Sequence, residues 1–388
     1  MSQIAGFRGV LWDPKKVELA KVVAQPIAEP SAKLAAGQLV RDPSRAVYRY
    51  HQSFAAGPRT LVRKSWFAAL GLEPWSAGQV RPHEETDPRA REAATKGVAA
   101  AGIHTDAVLV GYRDGAGEVD RLFRRIEGDR PALDATTADG TAHKLWRVTS
   151  AEVIGKLRPL FAPKQVTVLD GHARYEGMLA YRDQLDAKAP LLTHSSANYG
   201  LACLVNLDDP ALAVGPRHRV VATGPAKAAV LDAARAWFIV DRIAGAAKDA
   251  GKQLAALGDT VAHQPAFVAT FHGDADAYKL TLSPDVNPGA AGATAHRAIQ
   301  KYEPVVIEQV FLAKAAAGAV SRTETDAAAV VAAVAGGAAM GLVQRPLSIE
   351  QISHAVEQGA RLPFGSTAFH PAVARMISYI VDPDDDLV

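Results

Sequence analysis

Residues 170–174 combine three residue types that can bind an anion. Gly171 lets a bound group approach the backbone closely, because it has no side chain. His172 and Arg174 supply hydrogen-bond donors, and the planar guanidinium matches two oxygens of one phosphate. Asp170 adds a carboxylate to the same short segment. These residues predict an anion site, and phosphate is the anion that fits best.

The surrounding pattern indicates how this segment is positioned. Residues 166–169 form a short apolar run with β-branched Thr167, which predicts a buried strand covering residues 167–170. From residue 173 the apolar residues follow helical spacing, so we predict a helix over residues 173–185. A turn that opens a helix directs backbone N–H groups and the positive end of the helix dipole at one point. The alternative is that Asp170 is only an N-cap, His172 a surface residue and Arg174 a solvated charge.

A second polar group lies in residues 80–92. His83, Glu84 and Glu85 could supply a general base, or the two carboxylates could share a Mg²⁺ with substrate phosphates. The alternative is that Thr86, Asp87 and Pro88 begin a helix and that both glutamates form its solvated entrance.

A third polar group is the pair His218 and Arg219, which follows an apolar segment. Such a pair could reach a carboxylate or phosphate of a ligand. A surface or core role is the alternative.

These motifs together resemble a known family. The segment VLDGHARYEGMLAYR resembles the DGHHRYEAALAYR signature of a widespread bacterial and archaeal family catalogued as domain of unknown function ten-fifteen. That signature is in turn similar to the phosphate-binding box of the ParB and sulfiredoxin superfamily, which includes ADP-dependent free serine kinases. Further matches are to the family's PHExT, PTHRLV and closing GERMPQKSTYFYP elements, in the same order. The resemblance spans residues 7–379.

The resemblance implies a mixed α/β (α+β) fold with a ParB/sulfiredoxin-like core. It also implies nucleotide-binding roles for residues that match the motifs, namely His83, Gly171, His172, Arg174, His218 and Arg219. In the same way it implies catalytic roles for Glu84, Asp170 and His172. The Mg²⁺ site at Glu84 and Glu85 is expected from the two carboxylates themselves.

The chain departs from the family pattern at several polar positions. Ala173 and Glu85 replace the usual His and Arg, and Gly365 stands where the family has Lys. Ile27 and Ala28 replace a Tyr-Asp pair. These departures put the substrate and the chemistry in question.

Composition excludes some classes of protein. The 388 residues are 48% hydrophobic and 22% charged, which is typical of a soluble globular protein of two or three domains. With 43 basic and 41 acidic residues, no large net charge attracts nucleic acid or an anionic membrane. Cys203 is alone and lies in an apolar run, so we expect a buried thiol and a reducing, cytoplasmic location. No apolar segment reaches membrane-spanning length.

We expect three regions: a β-rich N-terminal region over residues 1–105, a phosphate-binding core over 106–225 and a C-terminal α/β region over 226–388. The sequence predicts a hairpin around residues 55–57, with strands over 45–54 and in the segment after Thr60. Further expected strands cover residues 4–11, 107–112, 143–148, 199–207, 266–271, 278–282 and 340–344. Expected helices cover residues 118–126, 151–160 with Thr149 as cap, 226–238, 304–316 and 348–358. The acidic tail is expected to be frayed.

Two function classes are compatible with these features. One is a nucleotide-dependent phosphotransferase that acts on a small hydroxylated metabolite such as a free amino acid, with ATP or ADP and Mg²⁺ as cofactors. The other is a non-catalytic, nucleotide-responsive binding protein, and a degenerate family member is a further alternative. The near-zero net charge argues against a DNA partner. The oligomeric state stays open.

Overall fold

The computed structural model describes residues 3–258 and 264–387. The chain forms two compact units. The first unit comprises Met1–Pro82, Thr86–Ala213 and Phe369–Val388, and the second comprises His83–Glu85 and Val214–Ala368. The division into three regions at residues 105 and 225 stays a prediction.

The first unit is built mainly of strands. Its strands are β1 (Ile4–Ala5), β2 (Val10–Trp12), β3 (Leu39–Arg41), β4 (Val47–Ala56), β5 (Arg59–Gly71), β6 (Val80–Pro82), β7 (Ile103–His104), β8 (Val108–Tyr112), β9 (Leu133–Thr136), β10 (Ala142–Val148), β11 (Val166–Asp170), β12 (Tyr199–Asn206) and, near the C-terminus, β21 (Ile377–Ile380). Its helices are α1 (Leu19–Val22), α2 (Pro30–Ala35), α3 (Pro88–Ala101), α4 (Glu118–Phe123), α5 (Ala151–Phe161) and α6 (His172–Lys188).

A nine-stranded sheet forms the centre of this unit, in the order β6-β11-β8-β12-β5-β4-β10-β9 with β1 on β5. The long hairpin of β4 and β5 lies in the middle of this sheet. Its aromatic residues are buried against the core. Strand β11 pairs in parallel with β6 and antiparallel with β8. Its apolar residues Val166 and Val168 join the main core with Trp66, Tyr112 and Phe161. The position of β11 is therefore fixed by burial on both sides, and this strand leads directly into residues 170–174.

The second unit contains a six-stranded sheet in the order β15-β17-β16-β19-β14-β18. These strands are β14 (His218–Thr223), β15 (Phe238–Ile243), β16 (Ala266–Phe271), β17 (Ala277–Leu282), β18 (Val320–Glu324) and β19 (Met340–Gln344). A separate pair joins β13 (Ala213–Pro216) with β20 (Thr367–His370). The helices are α7 (Lys227–Ala234), α8 (Ala250–Gly258), α9 (Glu303–Val305), α10 (Ala327–Ala335) and α11 (Ile349–Glu357), and α9 continues into a π-helix over Val306–Ala315.

The mixed α/β class is confirmed, and most expected elements are present. The hairpin turns after Ala56, and β19 has the expected bounds of 340–344. Ser348 caps α11 through a capping box.

Five expectations about elements are wrong. The helix expected over 118–126 ends at Phe123. Residues 4–11 form two short strands instead of one. The helix expected over 226–238 ends at Ala234, because Phe238 lies in a strand that pairs with β17. Ser150, not Thr149, caps α5, with its side chain accepting from the Val153 N–H. The helix expected over 304–316 is mostly π-helical.

The acidic tail is docked, which contradicts the expected fraying. Asp385 forms ion pairs with Arg8, Arg41 and Arg45. Leu387 is buried. Cys203 is fully buried, as expected, and burial raises the pKa of its thiol to about 11.

Candidate anion-binding site

The turn between β11 and α6 is formed by Gly171. Strand β11 ends at Asp170 after a register shift against β8, and α6 begins at His172. Gly171 has φ +93°, a left-handed conformation that residues with a Cβ adopt only at a cost. Its carbonyl accepts the first helical hydrogen bond, from the Tyr175 N–H at 2.9 Å. As N-cap, Gly171 brings no side-chain acceptor to the helix start, so this end of α6 is suited to an external anion.

Arg174 folds back over this turn. Its Nη2 donates to the Asp170 carboxylate at 2.6 Å. A Cβ at position 171 would lie 2.7 Å from Arg174 Nε, so Gly171 also makes room for the guanidinium. The side chains of Asp170 and Arg174 are 52% and 34% exposed, which means that water and ions reach the pair. Arg174 Nε is buried and has no hydrogen-bond partner among the described residues.

Arg174 also lines a cavity of about 320 Å³ within the first unit. Met178, one turn further along α6, lies on the same wall, and α3 contributes Gly97 and Val98. The volume falls in the range of small-molecule sites. Arg174, in the first turn of α6, lines the cavity, whereas Asp170 and Gly171 are not among its lining residues. That the turn itself lines a cleft stays a prediction. His172 is buried and is not one of the lining residues.

Aromatic packing fixes α6 in this position. Tyr175 is buried, and its hydroxyl donates to the Glu73 carbonyl at 2.9 Å. Its ring stacks on Trp75 with centroids 4.4 Å apart. At Gly177 the helix touches α3 so closely that a Cβ would lie 2.8 Å from Ala94 Cβ. These contacts hold the first turn of α6 beside α3.

The N-terminal loop supplies another wall through Ile27 and Pro30. Between them, Glu29 has φ +48°, the one positive φ outside glycine in the described chain. A non-glycine residue in this region stores backbone strain, which often marks a functional site. Ile27 stands where the family pattern has Tyr, so this departure makes the cavity wall more apolar.

The polar end of the cavity contains His104 and Asp106. His104 is 2% exposed, and burial lowers its pKa to about 3, so the imidazole is neutral at neutral pH. Its Nδ1 accepts from the Leu201 N–H at 3.4 Å, which places the ring proton on Nε2. That Nε2 has no hydrogen-bond partner among the described residues. Asp106 lies 2.5 Å from Arg375 Nε.

The second predicted group is brought together with a distant motif inside the second unit. Glu84 is 6% exposed, and its carboxylate accepts from the backbone N–H groups of Gly365 (3.0 Å) and Thr367 (2.7 Å). The Thr367 hydroxyl donates to the same carboxylate at 2.6 Å. His83 Nε2 lies 2.8 Å from that hydroxyl. Glu84 thus holds the loop that contains Gly365 and Thr367, which we call the Glu84 clamp.

The two glutamates differ in environment. Asp87 caps α3 and Pro88 is its first residue, as the alternative interpretation expected. The same interpretation placed both glutamates in solvent, which is wrong for the buried Glu84. Glu85 is exposed, and its nearest cation is Arg361 at 3.9 Å. Within residues 3–258 and 264–387 no three His, Cys, Asp or Glu side chains group as metal ligands. A Mg²⁺ role for Glu84 and Glu85 stays a prediction.

Gly365 explains one departure from the family pattern. It has φ +68°, and a Cβ there would lie 2.9 Å from Thr323 Cγ2. A lysine would therefore strain this loop as it is folded here.

His218 and Arg219 are buried in the second unit. His218 Nδ1 accepts from the Gln344 N–H at 3.2 Å, and burial lowers the pKa of His218 to about 4. Arg219 Nε lies 2.5 Å from a Glu308 oxygen. Both residues make internal contacts here, and their cofactor-binding roles stay predictions.

We expected His83, Glu84, Arg174 and His218 to meet in one cleft. His83, Glu84 and His218 belong to the second unit, where Arg217 Nε donates to the Thr367 carbonyl at 3.0 Å and so connects the clamp to the strand of His218. Arg174 belongs to the first unit. The meeting of all four residues stays a prediction.

The cavity walls were missed by sequence reasoning. Neither His104 nor Asp106 belongs to a motif, and α3 is rich in alanine. The sequence signals were Arg174 and Ile27, both at positions of the family pattern.

Comparison with known proteins agrees with the motifs. The family model described as "Protein of unknown function (DUF1015)" matches residues 31–310. The chain belongs to this family. No curated protein matches the sequence.

Several solved structures resemble this DUF1015 chain weakly. A free serine kinase in complex with AMP has 12% identity and a TM-score of 0.35, covering 79% of this chain and 86% of its own. A conserved hypothetical protein from Pyrococcus furiosus has 13% identity and a TM-score of 0.38, covering 84% and 97%. SbnI with C-terminal truncation from Staphylococcus aureus has 11% identity and a TM-score of 0.40, covering 82% and 90%.

Among the described residues of this DUF1015 chain, no helix has the length and apolar character needed to cross a membrane.

Proposed function

We propose that this chain binds a nucleotide, ATP or ADP, with its phosphates at residues 170–174. The observation that carries the proposal is the position of Arg174, which lies at an uncapped helix start and on the wall of a cavity. Helix N–H groups and a guanidinium at one point are a recurring arrangement for phosphate binding.

The pair of Arg174 and Asp170 supports this proposal. Asp170 partly neutralises Arg174, and both side chains are partly exposed. A phosphate carries more charge than a carboxylate and offers more acceptors, so it competes well for the guanidinium.

The proposed reaction is phosphoryl transfer to a small hydroxylated metabolite such as a free amino acid. The substrate hydroxyl oxygen forms a bond to the terminal phosphorus, its proton passes to the Asp170 carboxylate, the bridging P–O bond breaks, and the shorter nucleotide leaves. Arg174 would stabilise the charge that develops on the phosphoryl oxygens. Asp170, beside it, would orient Mg²⁺ or the attacking hydroxyl. Catalytic roles for His172 and Glu84 belong to the same proposal.

A second candidate is a nucleotide-responsive binding protein without turnover. It is favoured by the Glu84 clamp, because a carboxylate engaged by two backbone N–H groups is less available to a reacting group. Ala173 and Gly365, which stand where the family has His and Lys, also favour a binding protein without turnover.

Isothermal titration of ADP and ATP, with and without Mg²⁺, tests nucleotide binding. For Arg174→Ala we expect affinity ten- to a hundredfold weaker, since a charge-assisted contact contributes about 1.5–3 kcal/mol. Arg174→Lys should recover only part of this, because the ammonium keeps the charge and loses the fork. Arg91→Ala, an exposed arginine of α3, is the matched control and should bind like the wild type. Equal affinities in the wild type and both Arg174 variants would contradict the phosphate site.

An assay for ADP or AMP release with a panel of hydroxyl-bearing amino acids separates the two candidates. Release that depends on the amino acid supports the phosphotransferase. Tight nucleotide binding without release under any acceptor favours the binding protein.

A further inference from the structure

The six-stranded sheet of the second unit has two outer edges, formed by β15 and β18. Among residues 3–258 and 264–387, neither edge pairs with a further strand. In β18, Val320, Ser321 and Arg322 are exposed, with Val320 at 61%. An outer edge presents backbone N–H and C=O groups that can pair with another chain, and many proteins carry charges there to prevent it.

Geometry limits how such an edge can pair with the same edge of a second copy. Only every second residue of a strand directs its N–H and C=O groups to the outer side, and in a joined sheet these residues lie opposite one another. In an antiparallel pair of identical strands, the numbers of two opposite residues therefore have an even sum. This rule leaves few registers for a short strand, and the side chains decide which of them is stable.

No register of β15 brings opposite charges together. Asp241 and Arg242 are neighbours in the sequence, so the even-sum rule never places one opposite the other. With Asp241 on the two-fold axis two aspartates meet, and with Arg242 there two arginines meet. The register centred on Val240 sets Asp241 against Ile239. The charges of β15 therefore protect this edge against pairing with itself.

The charges of β18 are spaced differently. Arg322 and Glu324 are two residues apart, so with Thr323 on the two-fold axis each arginine lies opposite the glutamate of the other copy. Within one chain Arg322 Nη1 donates to Glu324 Oε2 at 3.2 Å, and the two side chains are 59% and 24% exposed. Across the axis the four side chains alternate in charge. The register centred on Arg322 instead sets two arginines against each other, so one register is favoured.

We infer that β18 is a self-association edge, at which two copies of this chain join their six-stranded sheets in antiparallel fashion about Thr323. The inference goes beyond the proposed function and does not depend on it. A strand of five residues forms a small interface, so we expect a weak dimer with a dissociation constant on the order of 100 µM.

Sedimentation equilibrium of the full chain, at concentrations on both sides of that value, measures the association. Arg322→Glu sets glutamate against glutamate at both pairs, and Glu324→Arg sets arginine against arginine. Each variant alone should therefore associate at least about tenfold more weakly than the wild type.

The decisive measurement is an equimolar mixture of these two variants. In a mixed dimer every cross-strand pair is again a glutamate with an arginine, so its affinity should return to within about threefold of the wild type. A role confined to the ion pair inside one chain predicts no such recovery, because neither variant regains its own pair on mixing.

Asp241→Arg is the matched control. It changes the net charge by the same amount as Glu324→Arg, at an exposed position on the opposite edge, and should associate like the wild type. Melting followed by circular dichroism checks that each variant is folded. If either charge-reversal variant fails to fold, Arg322→Gln must still weaken the wild-type association by about threefold.

Four results would overturn the inference. They are a wild type that stays monomeric at every concentration, single variants that associate as the wild type does, a mixture no stronger than its components, and equal weakening by Asp241→Arg. None of them bears on nucleotide binding, so the proposed function is tested separately.

Discussion

The turn at residues 170–174 and the Glu84 clamp use the same kinds of group in opposite ways. At the turn, the helix start has no side-chain cap, and Arg174 lines a cavity. At the clamp, a buried carboxylate already accepts two backbone N–H groups and one hydroxyl of its own chain. Both segments match motifs of one family, yet only the turn offers donors to an added molecule.

The difference shows that a motif residue can serve either binding or folding. The burial of its side chain and its hydrogen bonds within the chain decide which role it has. A carboxylate whose oxygens are engaged internally stabilises a loop. A guanidinium that is one-third exposed can bind a ligand. Four measurements test this contrast.

The largest expected effect is on stability, from Glu84→Ala. The change leaves the N–H groups of Gly365 and Thr367 buried without their acceptor, so we expect a loss of about 3–5 kcal/mol in the free energy of unfolding. Urea unfolding followed by circular dichroism measures it, and Glu84→Gln, which keeps one oxygen, should lose less. A loss below about 1 kcal/mol would show that the clamp is not structural.

Acid should destabilise both regions, because each has a buried neutral histidine nearby. The pKa values of His104 and His218 are about 3 and about 4, both below the unfolded value. The unfolded chain therefore binds protons first, so this stability is complete above pH ~6.5 and is lost as pH falls towards these folded pKa values. We expect a loss of about 2 kcal/mol for each histidine at pH 5. Urea midpoints at pH 7, 6 and 5 measure it, and a flat profile in that range would contradict the two pKa directions.

Gly171→Ala should damage the turn more than the fold. The left-handed backbone costs about 1–2 kcal/mol with a Cβ, and the methyl group displaces the Arg174 guanidinium, which lies 2.7 Å from its position. We expect that loss of stability together with weaker ADP binding, measured by melting and titration. Gly155→Ala, in the interior of α5 where a Cβ meets nothing within 4 Å, is the control and should be neutral or stabilising. Unchanged ADP affinity in Gly171→Ala would argue that the turn does not bind phosphate.

The smallest effect is expected for Glu85→Gln. Glu85 is exposed and 3.9 Å from Arg361, so the unfolding free energy should change by less than about 0.5 kcal/mol. The comparison with Glu84→Gln isolates the effect of burial on the free energy of unfolding, since the two glutamates are neighbours in the sequence. An equal loss in both variants would remove the distinction between the clamp and its exposed neighbour.

Local patterns were enough to predict the element that carries the turn. The change from a β-branched apolar run to helical spacing gave β11 and α6, although the helix begins one residue earlier than predicted and ends at Lys188. The early start has a physical reason, because Gly171 takes the left-handed conformation and leaves His172 as the first helical residue.

Long-range pairing was beyond the sequence patterns. Phe238 looked like the end of a helix, and only its pairing with Leu282 makes it a strand residue. The acidic tail looked solvated, and only the three arginines around Asp385 hold it. In the same way His104 and Asp106 carry no local signal, because a cavity wall is created by elements distant in sequence.

The discontinuity of the first unit has a consequence for the order of events on the ribosome. Residues 369–388 belong to the first unit, which also contains the N-terminal residues. The ribosome synthesises them after the whole of Val214–Ala368. Until then β2 lacks its partner β21, and Arg8, Arg41 and Arg45 lack the carboxylate of Asp385. The unit that contains the turn at residues 170–174 can therefore complete its fold only after the second unit has been synthesised, and nascent chains that end before residue 369 should expose an unfinished sheet to chaperones.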